Sequence, residues 1–331
     1  MALKIRRILV AVRDLGHPPR NELRKAADIA RAAGAAVQLF HAVNPPINAR
    51  SLAGKSGAVT RAGTAYASLQ HSRERLERYA QLSCFQDLDV ECVSKCDYPP
   101  HEAVVRQAIA SRADLVIGAS HSHGRMRRLF LRNTDWELVR QCPCPLLLVK
   151  SPRPYSRNAV LAAVDPFHTH SKPAALDLRL LDAADEWARL FGSALHVFHA
   201  YLPLTSVSPL PAGPSVPLAP SPELEDAHGE VIAREFERLA RSAGVPPSAR
   251  HLYMGDTSGG LCSLARKIKA GLLVMGAVSR SGLRRIFIGN TAEKVLDEIT
   301  TDVLIVKPRG FKTAVPARAQ ASRSPSHRSS A

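Results

Sequence analysis

Short, continuous apolar runs recur along the chain, each too brief for a helix and too uniform for a strand with one wet face. In the first half these are Ile8–Val12, Val37–His41, Val90–Ser94, Leu115–Gly118 and Leu146–Lys150. Between them, Asn21–Ala33, Thr64–Leu82, His101–Ser111 and Thr134–Arg140 place apolar residues at helical spacing. The second half repeats the scheme, with strands expected near 160–164, 195–199, 250–253, 272–275 and 303–307. Buried strands alternating with helices predict an α/β fold whose parallel sheet is covered on both faces. Each half has enough elements for its own doubly wound, five-stranded parallel sheet, two in tandem.

The repeat is also visible residue by residue. Arg127–Thr134 matches Arg284–Thr291, and Leu147–Lys150 matches Leu304–Lys307, both 157 apart. His41–Val43 aligns with His199–Tyr201 and Leu115–Ala119 with Leu273–Ala277, both 158 apart, and Leu9–Val12 aligns with Leu161–Val164. That period is too long for a solenoid and fits a duplicated domain. The expected organisation is a first domain at 1–150, a linker at 151–158, a second domain at 159–308 and a disordered basic tail at 309–331. Two inserts interrupt the pattern: a Gly/Ala/Ser loop at 44–63, and residues 202–222, whose seven prolines exclude helix or central strand.

Charge changes the picture less than its total suggests. The formal net charge is +16, but ten of that surplus sits on residues 1–150 and five on the tail beyond 308, leaving the second half nearly neutral. No aromatics interleave the basic residues, so specific nucleic-acid recognition is not expected. No apolar run approaches the length of a membrane span, and no signal-peptide pattern opens the chain. The six cysteines then read as reduced thiols in a cytoplasmic protein.

In an open doubly wound sheet, ligands collect beyond the carboxyl ends of the strands where strand order reverses. In the second half that edge begins at Val164 and Asp165. An aspartate there can accept from a ribose hydroxyl, or it can cap the next helix. The fourth strand ends at Met275-Gly276 and runs through Ser279 and Gly289 to Asn290 and Thr291, where a helix starts. Glycines allow close backbone approach to a phosphate, and a helix N-terminus offers N–H donors to an anion.

This stretch resembles the nucleotide loop of the universal stress protein family, Gly-x2-Gly-x9-Gly-Ser/Thr. Gly276 and Gly289 fill the first and third positions, while Ser279 and Asn290 depart from the second and last. The resemblance implies an adenine nucleotide alpha hydrolase-like fold and ATP, or a related adenine nucleotide, as ligand. It assigns Val164, Asp165, Ala200, Met275, Gly276, Ser279, Gly289, Asn290 and Thr291 to the pocket. In the first half Arg13 stands at the Asp position, Gly118 opens the loop, His121 and Arg132 replace its glycines with one extra residue between, and Asn133 ends it. That half reads as a degenerate site, or as a different anion site built on Arg13, His121 and Arg132.

Across residues 3–308 the chain is similar to the tandem E type of the family. The features that carry this are the Thr134-Asp135-Trp136 run, the Cys142-Pro-Cys144-Pro145 turn and Gly289–Leu296. The resemblance implies a stress-response protein that promotes survival, DNA damage included. It also implies that the last strands, Leu146–Lys150 and Val303–Lys307, pair as an internal pseudo-dimer, with a homodimer left open. No nucleophile, base and orienting group converge in the sequence, so the expected role is binding, with at most slow ATP hydrolysis. The alternative is a nucleotide-independent module that takes an acyl or apolar ligand, or a protein partner, between its halves.

Other signals carry less. Gly54-Lys55-Ser56 lacks the earlier glycine of a phosphate-cradling loop. His121/His123 and His168/His170 lack a recognisable ligand spacing, so no metal is expected. Cys142 and Cys144 do not have the spacing of a thiol redox motif, and Trp136 and Val139 read as core.

Overall fold

The computed structural model describes residues 4–44, 57–119, 133–167, 175–204, 221–277 and 290–317. The first half runs β1 (Arg7–Ala11), α1 (Arg20–Ala33), β2 (Ala36–Val43), α2 (Gly57–Ala80), β3 (Val90–Cys96), α3 (Pro100–Ala110), β4 (Leu115–Ala119), α4 (Asn133–Gln141) and β5 (Leu146–Val149). The second runs β6 (Ala159–Ala163), α5 (Leu176–Phe191), β7 (Leu195–Tyr201), α6 (Pro222–Ser242), β8 (Arg250–Met254), α7 (Thr257–Lys267), β9 (Ala270–Gly276), α8 (Asn290–Glu298) and β10 (Asp302–Val306). Helices α1 and α5 both stop at a glycine in the left-handed region, Gly34 at φ 64° and Gly192 at φ 60°, a conformation that a Cβ disfavours.

Each half orders its strands as a doubly wound sheet, and the two join into one ten-stranded sheet, β3-β2-β1-β4-β5-β10-β9-β6-β7-β8. Every pairing is parallel except the seam, where β5 and β10 run antiparallel. Its register is Leu148 to Val303, Leu147 to Leu304 and Leu146 to Ile305. Counterparts in the two strands lie 157 apart, so a pseudo-twofold axis passes through the Leu147–Leu304 pair, the isologous contact expected of a symmetric dimer. The pairing anticipated for these strands is present, and it removes the free edge that either sheet would otherwise expose.

Alternation along each strand builds two cores. Leu147, Leu304 and Val306 face Leu23, Leu76, Leu180, Trp187 and Phe236 of α1, α2, α5 and α6. Leu146, Leu148, Val303 and Ile305 face Val105, Leu138, Leu261 and Leu296 of α3, α4, α7 and α8. Both layers continue across the seam.

Polar ties reinforce that junction. Asp302, fully buried, accepts from the backbone N–H groups of Lys150 and Ser151, each at 2.8 Å, and from the Tyr155 hydroxyl at 2.8 Å. Lys25 of α1, also fully buried, pairs with the same carboxylate at 3.0 Å. Its Nζ lies 3.5 Å from the centroid of the Tyr155 ring and donates to the Arg153 carbonyl. One second-half carboxylate thus binds a first-half helix and the 151–158 connection, which is packed in place as Tyr155 sits edge-on to Trp187. Burial pushes the Lys25 ammonium down, against the pull of Asp302, and holds the Tyr155 phenol well above its usual range.

A second set of ties is reciprocal. Lys150 reaches across to the carbonyls of Leu296 and, at 3.2 Å, Ile299, at the end of α8. Lys307 reaches the carbonyls of Val139 and, at 3.1 Å, Arg140, at the end of α4. Each half therefore supplies a cation to the terminal carbonyls of the other half's last helix, where the helix dipole is negative. Burial lowers both ammonium groups to about 8.

Two expectations are corrected. Helix α2 begins at Gly57, inside the loop expected at 44–63, because its alanine-rich start favours helix despite two glycines. The tail, expected to be disordered from 309, is held against the first half through 317. Gln141 accepts from Thr313 Oγ1 at 3.3 Å and from the Ala314 N–H at 3.2 Å, and the Pro316 carbonyl accepts from Arg106 at 3.4 Å. Residues 318–331 lie outside the described residues.

Asp302→Ala strips the counter-charge from a buried ammonium and should lower unfolding free energy by about 3–5 kcal/mol, read by urea denaturation; a loss below about 1 kcal/mol would refute the tie. Lys150 and Lys307 titrate near 8 when folded and near the ordinary 10.5 when unfolded. Between those values the unfolded chain binds more protons, so their contribution to stability rises with pH. The stability of the wild type relative to Lys150→Met/Lys307→Met should climb from pH 8 to 10; a flat difference would contradict the burial of these charges.

Candidate functional site

Strand order reverses between β6 and β9 in the second half, and between β1 and β4 in the first. At the carboxyl edge of β6 stands buried Val164, whose N–H donates to the Phe198 carbonyl at 3.0 Å, followed by half-buried Asp165. His199 of β7 sets the path of this turn: its Nδ1 lies 3.0 Å from the Val164 carbonyl and must be the donor, leaving Nε2 unprotonated in the neutral ring. The first half repeats the device, His41 Nδ1 donating to the Val12 carbonyl at 2.8 Å, and burial pushes that imidazole down. The sequence match at His41 and His199 marked both rings without revealing this role.

Asp177, in the first turn of α5, was not foreseen. Its carboxylate accepts the Asp165 N–H at 3.1 Å, which brings a second acid to the crevice. An acidic residue opening a helix was its only sequence signal. Ala200 is half-buried on β7, Met275 is buried under the opposite core, and Asn290 and Thr291 are exposed at the start of α8. Val164, Asp165, Met275 and Gly276 therefore share one edge of the sheet, while Ser279 and Gly289 lie outside the described residues. Gly276 has a packing reason to be glycine: a Cβ there would lie 2.9 Å from Leu176 Cδ2.

The strand register revises the correspondence between halves. Leu115 sits beside Ile8 and Leu272 beside Val160, so β4 and β9 counterparts are 157 apart. Ala119, and not Gly118, stands opposite Gly276; Gly118 corresponds to Met275 and faces Leu148, 3.8 Å from where its Cβ would be. The 158 spacing of the matched sequences is thus one residue out of step with the strand register; a bulge at Gly271 lies just upstream, between the contacts of β9 to Ala159 and Val160. With that slip removed, the two loops are equal in length. Ser122 takes the second loop position in place of His121, while Arg132 and Asn133 keep theirs. Residues 121, 122 and 132 lie outside the described residues.

Arg13, the counterpart of Asp165, is committed to a partner. Its Nη2 pairs with Asp135 of α4, whose side chain is 1% exposed. The pair bridges β1 to α4 at the first-half switch point, and Arg13 Nη1 is buried without a hydrogen-bond partner among the described residues. In the second half the corresponding positions hold Asp165 and half-buried Ala292, so this tie cannot form. Among the described residues no group of three or more His, Cys, Asp or Glu side chains could hold a metal, and no helix is long and apolar enough to cross a membrane.

The family model for the universal stress protein family matches residues 4–150 and again 157–307. The chain belongs to the universal stress protein family. It is a tandem universal stress protein, similar to universal stress protein E. It is 28% identical over 233 residues to that protein from Photorhabdus laumondii, covering 70% of this chain and 73% of the relative. To the Escherichia coli K12 protein it is 30% identical over 222 residues, covering 65% and 67%. Among solved structures, a putative universal stress protein from Pseudomonas aeruginosa UCBPP-PA14 superposes with a TM-score of 0.70 at 24% identity, covering 92% of this chain and 94% of that one. One from Archaeoglobus fulgidus gives 0.60 at 13% identity, covering 90% and 98%. These likenesses extend over both universal stress protein halves and establish the fold.

Asp165→Arg with Ala292→Asp should transplant the first-half tie into the second half. A double-mutant cycle by chemical denaturation is expected to give a favourable coupling of about 1–3 kcal/mol; zero coupling would show that the two crevices differ in shape.

Proposed function

We propose that this universal stress protein is a non-catalytic, cytoplasmic binding protein of the stress response that holds an adenine nucleotide, ATP or a relative, in its second half, with the first half as scaffold. The observation that carries the reading is the contrast at the two switch points. Where the first half has an ion pair between Arg13 and Asp135, the second has Asp165 and a methyl group. A carboxylate at that edge suits a ribose diol, and the exposed start of α8 suits a phosphate. The neutral second half also repels a nucleotide less than its acids alone would. Support for survival under stress, including DNA damage, comes from the likeness to universal stress protein E alone.

A second reading has its own support. Leu176 fills the space beside Gly276, and Ser279 and Asn290 depart from the family loop. A nucleotide-independent module that takes an apolar ligand or a protein partner would tolerate all three.

Calorimetry with ATP should give a micromolar Kd for the wild type, and Asp165→Ala should weaken it about ten- to hundredfold, the worth of hydrogen bonds to a charged group. Absence of any adenine-nucleotide binding by the wild type would reject the first reading, and a copurified acyl ligand in native mass spectrometry would establish the second.

A further inference from the structure

The turn between α4 and β5 carries two thiols, Cys142 and Cys144, separated by Pro143, and their sulfurs lie 3.9 Å apart. Cys142 is buried in the core with Leu138 and Val139, whereas Cys144 is half-buried at its margin. Lys307, arriving from the other half, places its ammonium on the carbonyls of Val139 and Arg140, three and two residues before Cys142. An ammonium beside a thiol stabilises the thiolate, which is the nucleophilic form. The hydrogen bond from Cys144, with a further contribution from Lys307, holds Cys142 below the ordinary thiol range. The same contact, with burial, pushes Cys144 well above it. The two sulfurs therefore share one proton in a contact that a disulfide could replace.

This arrangement belongs to one half only. The positions 157 residues on are Ile299 and Thr301, and Lys150, the counterpart of Lys307, caps α8 with no thiol pair beside it. Neither packing nor the reciprocal lysine ties require sulfur here. Among the other cysteines, burial raises Cys84 and Cys262 and pushes Cys92 up to about 11, while Cys96 is exposed at the end of β3.

We propose that Cys142 and Cys144 are a redox-modified dithiol that closes to a disulfide on meeting a hydroperoxide, with Lys307 of the opposite half steadying the resolving thiolate. With the shared proton on Cys142, Cys144, the more exposed sulfur, attacks one peroxide oxygen as its thiolate. The O–O bond breaks, Cys144 becomes a sulfenic acid, and the other oxygen leaves as water once it has taken the thiol proton. The Cys142 thiolate then attacks the Cys144 sulfur, the S–S bond forms, and the S–O bond breaks. The departing hydroxide leaves as water with a proton taken from solvent. Two thiols thus pass two electrons to one hydrogen peroxide, which becomes two waters. Closure brings the sulfurs from 3.9 Å to a bond of about 2.05 Å and leaves the Lys307 ammonium without the thiolate it faced. The tail meets the same turn through Gln141, so oxidation acts where both halves and residues 313–314 converge. In a reducing compartment a disulfide of this kind is transient, which suits a sensor and not a staple.

The test uses the full-length reduced chain, treated with stoichiometric hydrogen peroxide, quenched in acid, alkylated and mapped by mass spectrometry. The peptide bearing Cys142 and Cys144 should escape alkylation and weigh two hydrogens less than the dithiol, before Cys84, Cys92, Cys96 or Cys262 changes. Lys307→Gln should slow this closure about tenfold, the effect of one pKa unit on the thiolate fraction, with Lys307→Arg close to wild type. Lys150→Gln loses the matching helix cap without facing the dithiol, so it should leave the rate unchanged and separates charge from loosened packing. A dithiol that stays alkylated while another cysteine oxidises first would overturn the proposal, as would equal slowing by Lys150→Gln and Lys307→Gln.

Discussion

A parallel sheet that stops leaves a row of backbone donors and acceptors without partners, and each half of this chain stops on a short, buried, largely apolar strand. Water would suit those backbone groups but not the leucines beside them. Antiparallel pairing of β5 with β10 resolves both demands together, since each strand completes the other's hydrogen bonds and both flanking cores run through unbroken. The rest of the junction elaborates this contact. Asp302 opens β10 and collects donors from the segment that follows β5, and Lys150 and Lys307 leave the ends of the seam strands to reach opposite helices. These are buried charges, which contribute less to stability than apolar packing would, but they specify one alignment of the halves, because a shift by one residue would strand every one of them.

Most of this architecture could be read from the residues. Uniform apolar runs at regular spacing identified the strands, the internal matches identified the duplication, and the likeness of the final strands pointed to the seam. What the residues concealed has physical causes. The Leu-Val-Ile-Gly-Ala and Leu-Val-Met-Gly-Ala runs align best with their glycines together, yet pairing with β1 and β6 sets the true correspondence one residue away. Ion pairs such as Arg13–Asp135 join residues far apart in sequence, and no local pattern announces them. Helix α2 began early because alanine outweighed the glycines that suggested a loop. The start of the tail was judged by its composition, whereas Thr313 and Ala314 are held by one glutamine side chain.

At the candidate site the edge was foreseen and its occupants only partly. The residues at the ends of β6 and β9 do share that edge. The imidazoles that fix the turns, the carboxylate of Asp177 and the methyls of Leu176 became visible only once helix and strand were brought together. The two halves also show how a duplicated site diverges. Reversing one charge and adding another, at positions that face each other across the crevice, turns an opening into an internal bond. A place that holds such a bond contributes to stability, and the other copy remains free to differ.

The nine-residue connection between β5 and β6 has a consequence for the seam. Were the halves separate molecules, their association would fade on dilution, and the amount of joined sheet would follow expression level. Tethered through Tyr155, whose ring and hydroxyl are locked against the second half, each seam strand meets its complement at a fixed effective concentration. Assembly thus becomes a first-order event within one molecule, equally complete whether the cell holds few copies or many.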